Sequence, residues 1–262
     1  MLQSITKIFS SEAERAHKSG RKAMSKYQHS RQEQQLTTAV YHCRHAYQTI
    51  NENHRKYSVV MVDYAVALSL QDLHSGGQGN LQEVIHLLER ARQIMNNHWQ
   101  LEVFRGASDY GMLSNMLGQA YLDHYRESRT SEALELATEA FKQGKHVSVP
   151  GSRIHAFSLI GSATTLWTAC DLQVKSPSQI AWLRSAIAFL TAVKGQKKDI
   201  QGECYRHLAI VYRLLYTRTR DRKDLDLSTD YHRRASLMLG GDVRIAKYQL
   251  KPGNIQTVHG RT

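Results

Sequence analysis

Apolar residues along this chain recur at three- and four-residue intervals in long blocks, and short polar or glycine-rich stretches separate the blocks. Val59 to Leu73 carries Val59, Val62, Ala65, Val66 and Leu68 through Leu70. That spacing predicts a helix apolar on several sides, as a helix between neighbours must be. Ser75-Gly76-Gly77-Gln78-Gly79-Asn80 interrupts it, with Asn80 as the expected cap of a second helix from Leu81 to Asn96. Val84, Leu87, Leu88 and Ala91 form one stripe on that helix. The layout repeats. Leu113, Met116, Leu117, Gly118, Ala120 and Tyr121 precede a turn at 126–129, and Thr130 or Ser131 opens a helix with Ala133, Leu134, Leu136, Ala137, Ala140 and Phe141. Pro150-Gly151 closes that unit. A fourth pair runs through Ile154, Phe157, Ile160, Gly161, Thr164 and Leu166, then from Ser176-Pro177 through Ile180, Leu183, Ala188, Phe189 and Leu190. A fifth holds Tyr205, Leu208, Ala209, Tyr212, Leu214 and Leu215, then Asp224 to Leu239, with Gly240-Gly241 as the stop. The first unit is irregular, with Gln32 to Asn51 its clear helix.

Small residues mark the register. Ala46, Ala91, Ala140, Ala188 and Ala235 follow one another at spacings of 45, 49, 48 and 47, and seven residues before them stand Ala39, Val84, Ala133, Ala181 and Ser228. Five in-phase copies predict an internal repeat whose units stack into an array with a groove. The alanines are expected at the seams, where close helix approach needs small side chains. Gly118, Gly161, Ala65 and Ala209 occupy the matching places in the first helices.

Composition narrows the class. An apolar content of 41% over 262 residues supports a sizeable core, and three prolines are few enough for long helices. The three cysteines are odd in number and far apart, which fits a reducing compartment, cytoplasm or nucleus, and not a disulfide framework. No apolar run reaches the ~18 residues of a membrane span. The net charge of +12 is concentrated at the ends: +6 over residues 1–60, −2 over 61–193 and +8 over 194–262. Such ends favour an acidic partner. Between Arg213 and Arg234 the basic residues alternate with Asp221, Asp224, Asp226 and Asp230, which argues against the continuous basic stripe of a nucleic-acid footprint.

The motifs resemble those of tetratricopeptide-repeat (TPR) proteins. Leu117-Gly118 with Tyr121, and Leu208-Ala209 with Tyr212, are similar to the family's large apolar residue, Gly or Ala, and aromatic three residues on. Ile160-Gly161 is followed by Thr164 in the aromatic place, and Tyr64-Ala65 by Leu68. The period of about 47 residues resembles the longer arrays of fungal and bacterial proteins associated with CHAT protease domains. The added length is expected mostly in the turns within and between pairs. The resemblance implies an all-α, right-handed superhelical solenoid of about five antiparallel helix pairs. It divides the chain into a basic helical cap at 1–31, the repeats at 32–240 and a polar tail at 241–262.

Local clusters offer little catalytic chemistry. In Tyr41-His42-Cys43-Arg44-His45, Cys43 and His45 point to different sides of a helix, and His42 with His45 gives too few ligands for a metal. Cys204 and His207 share a face, without an oxyanion hole or orienting acid nearby. Gly76 to Asn80 follows a helix and lacks the Lys-Ser/Thr of a phosphate loop. No catalytic residue, metal or cofactor is expected. The resemblance implies that the first helices line a concave groove exposing Asn115 and Gln119, Ser158 and Ser162, and Arg206 and Arg213. These amides, hydroxyls and guanidiniums suit an extended peptide or helix. The expected function is a protein-interaction scaffold or adaptor binding an acidic partner. Two alternatives are a small biosynthetic or other enzyme using the solenoid pocket, and the regulatory repeat portion of a larger signalling or immune-type protein lacking its effector domain.

Overall fold

The computed structural model describes residues 2–54, 56–76, 79–99, 107–172, 178–193 and 196–239. Those residues form ten α-helices and no strand: α1 Leu2–Ser30, α2 Glu33–Thr49, α3 Tyr57–Ser75, α4 Leu81–Trp99, α5 Ala107–Ser128, α6 Ser131–Val147, α7 Arg153–Leu172, α8 Gln179–Thr191, α9 Lys198–Thr219 and α10 Arg222–Leu239. Each odd-numbered helix packs on the even-numbered one after it, and each pair stacks on the next through α2/α3, α4/α5, α6/α7 and α8/α9. First helices also meet across units, as α1/α3, α5/α7 and α7/α9, whereas among the described residues second helices make no comparable contact with each other. The layer of first helices is therefore the tighter one, and the array has an inner face built from α5, α7 and α9. α1 lies against α2 as α3 lies against α4, so α1 stands where the first helix of a pair stands. No helix among the described residues is long and apolar enough to cross a membrane.

Three of the five turns within pairs are shorter than the sequence leads one to expect. Two residues separate α1 from α2, α5 from α6 and α9 from α10. The length of these units lies in the helices, since α5 and α9 have 22 residues each. These turns share a device. Arg31, Arg129 and Arg220 have φ of 58°, 59° and 59°, and each donates its N–H to the carbonyl four residues back: Tyr27, Tyr125 and Tyr216. Gly76 does the same work after α3, with φ 74° and a bond to Asp72. A left-handed C′ residue satisfies the orphan carbonyls of the last turn. In a residue with a Cβ that conformation costs roughly 1–2 kcal/mol, part of which glycine would return as unfolded-chain entropy. Arg129→Gly is accordingly expected to raise stability by about 0.5–1 kcal/mol, and Arg129→Val to lower it, as read by urea midpoints. Equal midpoints for the three proteins would remove the strain argument.

Asn80 precedes α4 as expected, but its side chain is turned back: its backbone N–H and Nδ2 donate to Asp72 at 3.1 and 2.8 Å. Thr130 is the N-cap of α6, and the Ser128 and Thr130 hydroxyls lie 3.0 Å apart. Ser176-Pro177 and Gly240-Gly241 lie outside the described residues.

The seams hold the small residues in four units. Ala46, Ala91, Ala140 and Ala235 are buried, as are Ala39, Val84, Ala133 and Ser228. The fourth unit corrects the ladder. Ala181 and Ala188 are exposed, and the buried places belong to Gln179 and Ala186, two residues earlier. Two residues are about 200° of helix, enough to exchange faces. A glutamine at a seam needs its amide satisfied. Here Gln179 Nε2 donates to the Cys170 carbonyl at 3.3 Å, and its Oε1 accepts from Arg218 Nε at 3.3 Å. Buried tyrosines follow the same rule. Tyr64 donates to Glu83 at 2.9 Å and accepts from Arg44 at 2.8 Å, and Tyr121 donates to Glu89.

Between units three and four the small residues make room for a ring. A Cβ on Gly118 would lie 2.8 Å from the Phe141 ring, and one on Gly161 would overlap the same ring from the other side. Phe141 comes from α6, passes between α5 and α7, and is 3% exposed.

Candidate functional site

The inner face carries a hollow of about 470 Å³ between α5, α7 and α9. Its walls follow helical periodicity. α5 contributes Met112, Met116 and Gln119, with Asn115 beside them. α7 contributes Arg153, Phe157, Ile160, Thr164 and Trp167, a single stripe at spacings of four, three, four and three. α9 contributes Arg206, His207 and Ile210, and Phe141 closes the wall from behind. The lining is mostly apolar, and Met112 and Phe157 are exposed at its mouth. Unbranched methionine suits a surface that must adapt to what it meets.

Among the described residues, three arginines line the hollow and no carboxylate does. Their counter-charges lie off the lining. Arg126 pairs with Asp123, Arg206 with Glu203, and Arg153 with Asp199 at 3.1 Å. The Arg153 guanidinium also sits 5.4 Å from the centre of the Phe157 ring. Guanidinium groups and not carboxylates thus line the hollow, each with an acidic neighbour.

His207 is the buried polar group of the lining. Trp167 Nε1 donates to its Nδ1 at 3.2 Å, Thr164 Oγ1 lies 3.4 Å from the same nitrogen, and Arg206 Nη2 lies 3.3 Å from Nε2. Burial first, then the charges of Arg206 and Arg126, push the imidazole pKa down to about 3. The ring is therefore neutral at ordinary pH.

The six residues expected in the groove divide into two groups. Asn115, Gln119 and Arg206 line the hollow. Ser158, Ser162 and Arg213 do not. Ser158 is fully buried, and its hydroxyl donates to Asn115 Oδ1 at 2.8 Å. Asn115 Nδ2 in turn donates to the Ile154 carbonyl at 3.0 Å, so this pair ties α5 to α7. The Ser162 hydroxyl returns to the Ser158 carbonyl at 2.9 Å, and Arg213 is exposed farther along α9. The lining residues that the sequence did not assign to the groove, chiefly Phe157, Trp167 and His207, sit on stripes that read equally well as core. Only the gap left between three first helices distinguishes them.

The other sequence clusters are structural. Cys204 and His207 diverge: Cys204 Sγ faces the Leu190 carbonyl at 3.0 Å on the α8 side, and burial pushes its thiol up to about 12. Cys43 is likewise raised to about 12 and lies against Gly20 of α1. His45 meets Glu12 at 3.2 Å. Among the described residues no group of three or more His, Cys, Asp or Glu is placed to hold a metal ion. In α10 the alternating charges pair internally, Arg234 with Asp230 at 2.7 Å and Arg222 with Asp226 at 3.5 Å.

No family model matches the chain, and no curated protein matches it. Solved structures do. The chain is similar to a point-substituted form of a Podosopora anserina protein of kinesin-light-chain type with nearly identical TPR-like repeats, at 14% identity over 87% of this chain and 98% of that one, with a TM-score of 0.57. A Podosopora anserina structure of the same description without that substitution matches at 15% identity over 88% and 96%, with a TM-score of 0.52. At such identities the likeness establishes the fold, a TPR-like helical-repeat solenoid.

Proposed function

We propose that this TPR-like array is a protein-interaction scaffold that takes an extended peptide or a helix along α5, α7 and α9. The observation that carries the reading is the preformed hollow, apolar at its walls and ringed by Arg126, Arg153 and Arg206. An apolar side chain of the partner fills it, and acidic residues beside that side chain meet the rim. The helices already hold this shape, so the scaffold has little conformational entropy to lose on binding. The basic segments 1–60 and 194–262 add long-range attraction for the same acidic partner.

The test is selection of peptides from a random phage-displayed library on the full chain, followed by fluorescence anisotropy with the synthetic peptides. Selected sequences are expected to pair an aromatic or aliphatic residue with Asp or Glu. Phe157→Glu, at the exposed mouth, is expected to weaken them at least tenfold, about 1.4 kcal/mol. Leu136→Glu, on α6 away from the hollow, serves as the control and should leave them unchanged. Peptides that bind Phe157→Glu as tightly as the parent protein would place the binding surface elsewhere.

A further inference from the structure

We propose that the hollow between α5, α7 and α9 binds a small apolar carboxylic acid, with the carboxylate between Arg206 and His207 Nε2 and the alkyl or aryl body against the apolar walls. This goes beyond the scaffold reading and does not rest on it.

Two obligate donors converge on the His207 imidazole. The Trp167 indole N–H can only donate, and it is directed at His207 Nδ1. The neutral ring must then carry its proton on Nε2. The Arg206 guanidinium also only donates, and its Nη2 lies 3.3 Å from that same Nε2. A neutral imidazole has one lone pair and cannot accept from both sides. Moving the proton to Nδ1 sets it against the Trp167 N–H, and a doubly protonated ring faces donors on both sides. With the proton on Nε2 that N–H has no acceptor among these neighbours; with it on Nδ1, Thr164 Oγ1 can accept it and the Trp167 N–H is left over instead. Either neutral tautomer thus leaves one N–H of the cluster without an acceptor, although His207 is only 7% exposed. Buried polar groups are ordinarily satisfied, so this exception calls for an acceptor.

A carboxylate supplies it. One oxygen accepts from Nε2–H and from Arg206, whose planar fork of N–H donors can serve Glu203 and an incoming oxygen together. None of the described residues lining the hollow carries a carboxylate to repel it, and Arg126 and Arg153 add favourable charge. A volume of about 470 Å³ lies within the range of small-molecule sites, and Phe141, Phe157, Ile160 and Ile210 offer walls that an Asp or Glu side chain has no apolar body to fill. The ligand class is therefore an apolar acid, not a bare anion.

Isothermal titration calorimetry on the full chain tests this with decanoate, 4-phenylbutyrate and indole-3-butyrate, each beside its primary alcohol, and with acetate. At least one acid is expected to bind tenfold or more tightly than its alcohol, with acetate too weak to measure. Arg206→Gln should remove that preference, and Arg206→Lys should restore part of it. On binding, the ¹⁵N–¹H signal of His207 Nε2 should appear or move downfield in the parent protein, a readout that requires no variant to fold. Acids that bind no better than their alcohols overturn the proposal, as does an acid preference that survives Arg206→Gln. An acetylated tripeptide ending in phenylalanine that binds more tightly than every free acid also overturns it. Acid binding without selected peptides would leave this site standing and sink the scaffold reading, and the reverse result would do the opposite.

Discussion

Gly161→Ala is expected to destabilise the protein by about 3 kcal/mol, far beyond the usual effect of alanine in a helix. Alanine is intrinsically the better helix former by roughly 1 kcal/mol, so local propensity predicts the opposite sign. Packing decides. The new Cβ would overlap the Phe141 ring, and the ring cannot retreat because Gly118 lies against its other side, where a Cβ would be 2.8 Å away. Phe141→Ala alone should cost about 3–5 kcal/mol through the cavity it leaves. In that background the clash is gone, and Gly161→Ala should become neutral or mildly stabilising. The double-mutant cycle, read by urea unfolding, is therefore expected to show a coupling of about 3 kcal/mol or slightly more. Additive effects of the two substitutions would mean that the ring and the glycine do not meet.

The second large effect is a pH dependence centred on His207. Its folded pKa lies near 3, below the 6.5 of an unperturbed histidine. Between those values the unfolded chain binds a proton that the native state refuses, so stability falls as pH falls. The stabilisation is fully present above about pH 6.5 and is lost progressively toward pH 3. One group contributes at most about 1.4 kcal/mol per pH unit, and here about 2 kcal/mol between pH 6.5 and 4.5. His207→Gln keeps a carbonyl to accept from Trp167 and removes the titration. The stability of the parent protein should therefore drop more steeply than that of the variant across this window, whatever the variant costs at pH 7. Parallel slopes would show that the imidazole is protonated in the native state.

The repeat was legible because it has a physical cause that acts locally. Each helix pair needs a 3.6-residue apolar stripe and a small residue at the seam, and both are visible in windows of fewer than twenty residues. The reading failed at α8 for the same reason. Ala181/Ala188 and Gln179/Ala186 are both seven-residue pairs, and propensity favours the alanines. The choice is made by the Cys170 carbonyl and by Arg218, nine and 39 residues away, which together satisfy the Gln179 amide. The arginines in left-handed turns were hidden because glycine is the residue that signals that conformation. Of the groove residues that the resemblance implied, Asn115, Gln119 and Arg206 line the hollow. Ser158 was implied in the same way, but its hydroxyl is committed to Asn115, 43 residues earlier. His207 was seen only beside Cys204, three residues upstream, whereas its partner Trp167 stands 40 residues away.

Phe141 has one more consequence. It belongs to α6, a second helix, yet its ring lines the hollow on the opposite side of the array. Among the described lining residues it is the one side chain by which α6 reaches the hollow. Neighbouring α6 residues Glu139 and Lys142 are exposed to solvent on the far side. Any side chain that fills the hollow would therefore meet α6 through the Phe141 ring and not through the helix backbone.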